Sequence, residues 1–166
     1  MPATPSDLFA TLQRLGIDTV TVEHEPLFSV AESRHLRGRI PGAHTKNLFL
    51  ADRKERLFLV VAGEEAKIDL KILHRKIGAS GRLSFGKPET MLETLGVAPG
   101  SVTPFSLMND DENRVTAVID AALLKESPLN FHPLVNTMST RIAPERLLEF
   151  IEASGHAPLI LEVSEP

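Results

Sequence analysis

Apolar residues recur along this chain with two periods, about 3.6 and 2, and the periods alternate in blocks. Leu8, Leu12 and Leu15 share one helical face, with Ser6 placed to cap and Gly16 to stop a first helix. Ser29-Val-Ala-Glu32 is a capping box and predicts a short helix reaching Arg37. Asp69 caps a helix to Ile77, with Leu70, Leu73 and Ile77 inward and Gly78 closing it. Pro88 suits the first turn of a helix through Leu95, which Gly96 stops. Pro144 to Ala153 reads as a helix with Leu147, Leu148 and Ile151 inward. Between these blocks the pattern shortens to strands: Thr19 to His24, Lys46 to Leu50, Arg56 to Ala62, Arg82 to Phe85, Phe105 to Met108, Val115 to Leu123, Leu129 to Val135 and Leu159 to Val163. A hairpin-length turn joins Lys46–Leu50 to Arg56–Ala62. Pro133 demotes the far end of Leu129–Val135 to an edge or bulge. Gly38 to Gly42 and Val97 to Pro104 read as loops.

Strands outnumber helices, and no linker divides the chain. The expected architecture is mixed α/β, a curved, largely antiparallel, barrel-like sheet with helices packed around it, built as one domain over residues 1–166. No glycine-rich fingerprint follows an early strand, so a doubly wound nucleotide fold is not expected. A chain of 166 residues with 42% hydrophobic residues has enough apolar surface for a core without staples. Cysteine is absent, which removes disulfides, thiolate metal sites and a cysteine nucleophile. No apolar run approaches a membrane span, and the N-terminus has no signal-peptide pattern. A soluble cytoplasmic protein without membrane contact is the expectation.

Charge then separates two parts of the chain. The net charge is −4, which alone argues against a nucleic-acid partner. From Ala31 to Lys87, however, there are 13 Lys/Arg against 6 Asp/Glu, and from Pro88 to Pro166 there are 4 against 12. The basic residues come in sets: Arg34, Arg37 and Arg39; Arg53, Lys54 and Arg56; Lys67, Lys71, Arg75 and Lys76. Each set alone is an ordinary solvated face. Together they allow a polyanionic partner.

Three stretches can carry chemistry. Lys46 stands at the start of an apolar strand just after a Gly/Pro loop, where a mobile point charge suits phosphate, and Asn47 beside it offers a donor and an acceptor. Gly100-Ser101-Val102-Thr103-Pro104 is a loop whose amides can orient a small polar group or an oxyanion. Phe131-His132-Pro133-Leu134-Val135-Asn136 places His132 and Asn136 on the same side, because side chains repeat every second residue along a strand. Each has a plainer reading, as a strand end, a connection and a core histidine. The six histidines form no HxH or HExxH, so no metal site is expected, and no GxSxG nucleophile elbow is present.

In their order and spacing, Lys46-Asn47-Leu-Phe-Leu, the GxxxP loop and Phe-His-Pro-Leu-Val-Asn resemble the bacterial prolyl-tRNA editing superfamily, the YbaK-type fold also inserted in prolyl-tRNA synthetases. The resemblance spans nearly the whole chain. Lys46-Asn47 and Gly-Ser-Val-Thr-Pro-Phe make it most similar to the free-standing alanyl-tRNA(Pro) deacylase branch. That implies a proofreading hydrolase that cleaves alanine from mischarged tRNA(Pro) in trans, without metal or cofactor, helped by the substrate's own ribose 2′-hydroxyl. It implies Lys46, Gly100 and His132 as catalytic residues, and Asn47, Ser101, Val102, Thr103, Pro104 and Asn136 as substrate contacts. Met138 is a candidate for setting the pocket's size. The implied partner is the acceptor end of tRNA(Pro), with a prolyl-tRNA synthetase or elongation factor left open, as is the oligomeric state. Competing readings are a deacylase for cysteinyl-tRNA(Pro) or another small aminoacyl-tRNA, a non-catalytic tRNA-binding module of the same fold, and a small-molecule binding domain.

Overall fold

The computed structural model describes residues 1–26 and 40–166. The helix expected at Ser29–Arg37 and the basic set Arg34, Arg37 and Arg39 lie outside the described residues. Among the rest, eight strands form one mixed sheet, with helices around it. In chain order the elements are α1 (Pro5–Arg14), β1 (Val20–Glu23), β2 (Ala43–Ala51), β3 (Leu57–Gly63), α2 (Leu70–Ile77), β4 (Ser84–Phe85), α3 (Pro88–Leu95), β5 (Val115–Asp120), β6 (Leu129–Phe131), β7 (Met138–Ile142), α4 (Pro144–Ala153) and β8 (Leu159–Leu161). The strand order is β1-β7-β6-β2-β3-β5-β8, with β4 added on β2. Four pairings are antiparallel and three parallel, the parallel ones being β2 with β6, β3 with β5 and β5 with β8. No helix among the described residues is long and apolar enough to cross a membrane.

The helices α2, α3 and α4 run where the 3.6 period places them. Asp69 caps α2 through its carboxylate on the Lys71 amide, and Gly78 ends it at φ 71°. α1 starts earlier than expected. Thr4, not Ser6, is its cap, because Thr4 and Asp7 exchange reciprocal hydrogen bonds and Pro5 fits the first turn.

Three strand expectations fail for local reasons. Phe105–Met108 belongs to a 3-10 helix, Pro104–Asn109, which the Thr103 hydroxyl caps by accepting from the Phe105 amide. Val115–Leu123 stops as a strand at Asp120 and continues as a 3-10 turn, Ala121–Lys125. Leu129–Val135 ends at Phe131, and Leu134 adopts φ 71°, outside the range of any strand. β7 has no counterpart in the sequence reading, since Met-Ser-Thr-Arg-Ile carries little apolar alternation.

β2 is the spine of the molecule. Its side chains alternate between two cores: Phe49 joins the larger one, with Phe105, Leu129, Phe131 and Phe150, and Leu50 joins the smaller one, with Phe58, Val60 and Leu73. In the larger core Phe105 meets Phe131 and Phe150 edge to face, at centroid distances of 5.9 and 5.3 Å. The buried His156 of the C-terminal segment donates from Nε2 to Asp110 Oδ2 at 2.8 Å, tying the end of α4 to the approach to β5.

Candidate functional site

Backbone register decides what meets what here. Toward β3, the His44 carbonyl accepts the Glu64 amide. Toward the other edge, the Ala43 amide donates to Pro128 and the Phe49 carbonyl accepts the Gly86 amide. Even-numbered residues of β2 therefore bond to β3, and odd-numbered ones face the edge shared by β6 and β4. β6 runs parallel to β2 at Ala43–Leu129 and His44–Asn130. Lys46 lies two residues past His44, and His132 two past Asn130. Both thus lie two residues past the last paired positions of β2 with β6, Lys46 within β2 and His132 beyond β6.

Lys46 is the fourth residue of β2, rather than its opening residue, and is half-buried. Its ammonium donates to the Ala66 carbonyl at 2.6 Å, beyond the end of β3. That contact fixes the charge while leaving further N–H groups to donate. His132 follows β6. Its Nδ1 faces the Met138 carbonyl at 3.3 Å. A carbonyl only accepts, so Nδ1 carries the proton, and in the neutral ring Nε2 is an acceptor. Burial pushes the His132 pKa below the ordinary histidine range, against the raising effect of the Met138 hydrogen bond, and His24, with its ring 6.5 Å away, pushes it down further. At neutral pH the ring is therefore an uncharged acceptor, poised for a hydroxyl or a water.

The loop reaches this region through its exit. Gly100 turns at φ 93°, in the left-handed region where glycine is at ease, and the Ser101 amide closes the turn on the Ala98 carbonyl at 3.0 Å. Val102 packs against the larger core, Thr103 and Pro104 are buried, and Phe105 then rests on Phe131, the residue before His132. The contact with the strand before His132 is made at Phe105, and Gly100 and Ser101 lie five and four residues ahead of it.

Lys46 and Asn47 are adjacent in a regular strand, so their side chains project from opposite faces. Asn47 shares the face of Phe49, and its buried Oδ1 has no hydrogen-bond partner. One expectation about neighbours is corrected, that His132 and Asn136 share a side. They do not do so by strand alternation, because the chain leaves the strand at Phe131 and turns at Leu134. Met138 contributes its main chain, which orients His132; its side chain is half-buried on β7.

The sequence reading missed several neighbours. His24 donates from Nδ1 to the Glu25 carbonyl at 2.7 Å and meets the Ser139 hydroxyl through Nε2 at 2.8 Å. Asn130 pairs in register with His44 on one side and Arg141 on the other. Its Nδ2 donates to the Pro41 and Ala43 carbonyls at 3.0 and 3.2 Å. His44 Nε2, Asn130 Oδ1 and Arg141 Nε are buried without partners. Buried polar atoms are nearly always hydrogen-bonded, so these three stand out. Asn130, two positions before His132, was the one readable signal, since strand period would have placed the pair on one face. Among the described residues no three His, Asp or Glu side chains gather to hold a metal ion.

The depressed pKa of His132 has a measurable consequence. Its proton should come on only below the ordinary range near pH 6.5. Folding stability linked to this ring is then complete above about pH 6.5 and declines as pH falls toward the folded value. A His132 imidazole NMR titration should show a midpoint clearly below those of exposed histidines. A midpoint at or above them would remove the neutral acceptor from the site.

Comparison with known proteins gives a consistent picture. Residues 24–150 match the model of the aminoacyl-tRNA editing domain. A mouse (Mus musculus) prolyl-tRNA synthetase associated domain-containing protein 1 is 40% identical over 164 residues, covering 94% of this chain and 96% of that protein. The prolyl-tRNA editing protein ProX of Acetoanaerobium sticklandii is 33% identical over 157 residues, covering 94% of this chain and 95% of its own. A solved structure described as a candidate trans-editing enzyme for prolyl tRNA synthetase superposes with a TM-score of 0.72 over the full length of both chains at 21% identity, which bears on the fold. By this match across most of its length, the chain belongs to the aminoacyl-tRNA editing domain family.

Proposed function

We propose that this chain, acting over residues 1–166 as one editing domain, hydrolyses the ester of alanine mischarged on tRNA(Pro). The observation that carries the reading is that Lys46, anchored on the Ala66 carbonyl, and His132, a neutral acceptor, each lie two residues past the last paired positions of β2 and β6. Lys46 supplies the charge for the terminal nucleotide, and Gly100 to Pro104 supply amides and walls for the aminoacyl group. His132 Nε2 accepts from the attacking water or from the ribose 2′-hydroxyl. Water oxygen bonds to the ester carbonyl carbon, the ester C–O bond breaks, and the ribose 3′-oxygen leaves with a proton. An aminoacyl ester is labile already, so placing the water supplies much of the acceleration. Rejecting proline then falls to the size of the pocket.

The surface supports an RNA partner. Lys71 and Arg75 stand four apart on the exposed side of α2, opposite Leu73 and Ile77, and Arg53, Lys54 and Arg56 are exposed in the β2–β3 turn. The turn is fastened to the end of α2, with the Arg53 amide on the Ser80 carbonyl at 2.9 Å and the Arg56 guanidinium on the Gly78 carbonyl at 3.2 Å. Two basic sets distant in sequence are thus tied together through the end of α2, an arrangement suited to phosphates.

The test is deacylation of purified alanyl-tRNA(Pro) beside cysteinyl-tRNA(Pro) and prolyl-tRNA(Pro). The expected result is rapid release of alanine and at least about 100-fold slower release of proline, whose ring a small pocket excludes by clash. Preference for the cysteinyl ester would move the substrate within the family. Salt-sensitive tRNA binding without ester cleavage would replace the enzyme with a binding module.

A further inference from the structure

β2 is interrupted along one edge. β6 pairs with it at Ala43 and His44, and β4 pairs at Leu50 and Ala51. The ladder parity established above, with Ala43 donating to Pro128 and the Phe49 carbonyl taken by Gly86, directs the main-chain N–H and C=O of Asn47 to this same edge, between the two partners. Among the described residues no strand completes the ladder at that point. The Asn47 side chain adds a buried Oδ1 that has no hydrogen-bond partner. A donor and an acceptor set side by side along an extended backbone are what an antiparallel strand offers to a residue opposite it.

We propose that the aminoacyl group enters this gap as a strand one residue long, paired with the main chain of Asn47. The proposal rests on the editing reading and states how that site recognises its substrate. An α-aminoacyl ester carries an ammonium and a carbonyl on the two sides of one carbon, as a residue in a strand does. The ammonium donates to the Asn47 carbonyl, and the ester carbonyl accepts the Asn47 N–H. During attack that carbonyl oxygen becomes the oxyanion, so the Asn47 N–H stabilises charge as it develops. Residues opposite one another in an antiparallel pair place their side chains on the same face, about 4.5–5.5 Å apart at Cβ. The methyl of alanine therefore lies beside the Asn47 side chain, on the face of the larger core where Val102 packs. A prolyl ester presents its ring across this face and has lost one of the three ammonium donors.

The experiment separates main chain from side chain. Asn47→Ala removes only the carboxamide. Asn47→Pro removes the N–H as well, at a position where the β3 ladder does not use it, so the strand tolerates proline. With alanyl-tRNA(Pro), Asn47→Pro is expected to lower kcat by about 100- to 1000-fold relative to Asn47→Ala, the size of effect seen on removing one oxyanion donor. Equal kcat in the two variants, with both folded by circular dichroism, overturns the proposal. A second arm uses the wild-type chain and propionyl-tRNA(Pro), which keeps the carbonyl and methyl but has no amine. After correction for uncatalysed hydrolysis, it should react at least about 100-fold more slowly than the alanyl ester, since the Asn47 carbonyl is left unpaired. Equal enhancement of the two esters overturns the proposal even if Asn47→Pro does not fold. A wild-type chain that cleaves no aminoacyl-tRNA at all defeats the editing reading itself, a different outcome from either.

Discussion

Lys46→Ala should lower alanyl-tRNA(Pro) deacylation by about 100-fold or more, the consequence of losing the charge that holds the terminal nucleotide and so places the ester. The fold should survive. What is lost structurally is one charge-assisted hydrogen bond, from Nζ to the Ala66 carbonyl at 2.6 Å, worth about 1.5–3 kcal/mol. The cavity left is open to solvent at a half-buried position, so no large packing term follows. Single-turnover kinetics with saturating enzyme should show the deficit in the chemical step as well as in binding. Full activity in Lys46→Ala would discard the assignment of this strand pair as the catalytic centre. His132→Ala should cost less, because the ring offers one neutral acceptor whereas Lys46 offers a charge.

The second large effect is on stability and lies at the opposite end of β2. The Asp52 side chain is fully buried. Its carboxylate accepts from the amides of Lys54, Arg56 and Ser80 and from the Arg56 guanidinium, all at 2.9 Å. Burial alone would raise its pKa, but the hydrogen bonds from Ser80, Arg56 and Lys54 outweigh it and hold the carboxyl below the usual carboxylate value. Asp52→Ala leaves the three amide donors unmet and should cost about 1–3 kcal/mol for each that water does not reach, read as a lower urea midpoint with an unchanged slope. Asp52→Asn should recover part of the loss, since one carboxamide oxygen still accepts. The sign of the pH effect follows from the depressed value. The stabilisation is complete above about pH 3.9, the unfolded value, and is lost as pH falls through the lower folded value. A urea midpoint unchanged in Asp52→Ala would show that water satisfies the donors and that the turn carries little of the stability.

The sequence made the helices and the long strands readable because each buries one periodic face. Leu73 with Ile77, and Leu147 with Ile151, suffice to place α2 and α4. It was less informative where side chains redirect the backbone. Thr103 turns an apolar run, Phe105 to Met108, into a 3-10 helix by capping it, and alternation alone cannot register that. The candidate site shows the same division. Lys46, the GxxxP loop and His132 were visible as residue types in a familiar order. The opposed directions of Lys46 and Asn47 were implicit in the strand itself. The Asn130–Arg141 pairing was not, because β7 is polar and its register is set by β6. The turn at Leu134, with its positive φ, follows from no local rule for leucine.

Because consecutive residues of β2 serve two different cores, the strand has a fixed reading frame. One residue inserted after Gly42 would transpose everything downstream: Phe49 would be exchanged with Leu50 between interiors shaped for others, and Lys46 would trade sides with Asn47. Diversification of this segment among relatives must therefore proceed by replacement at constant length, with insertions and deletions confined to the turns on either side.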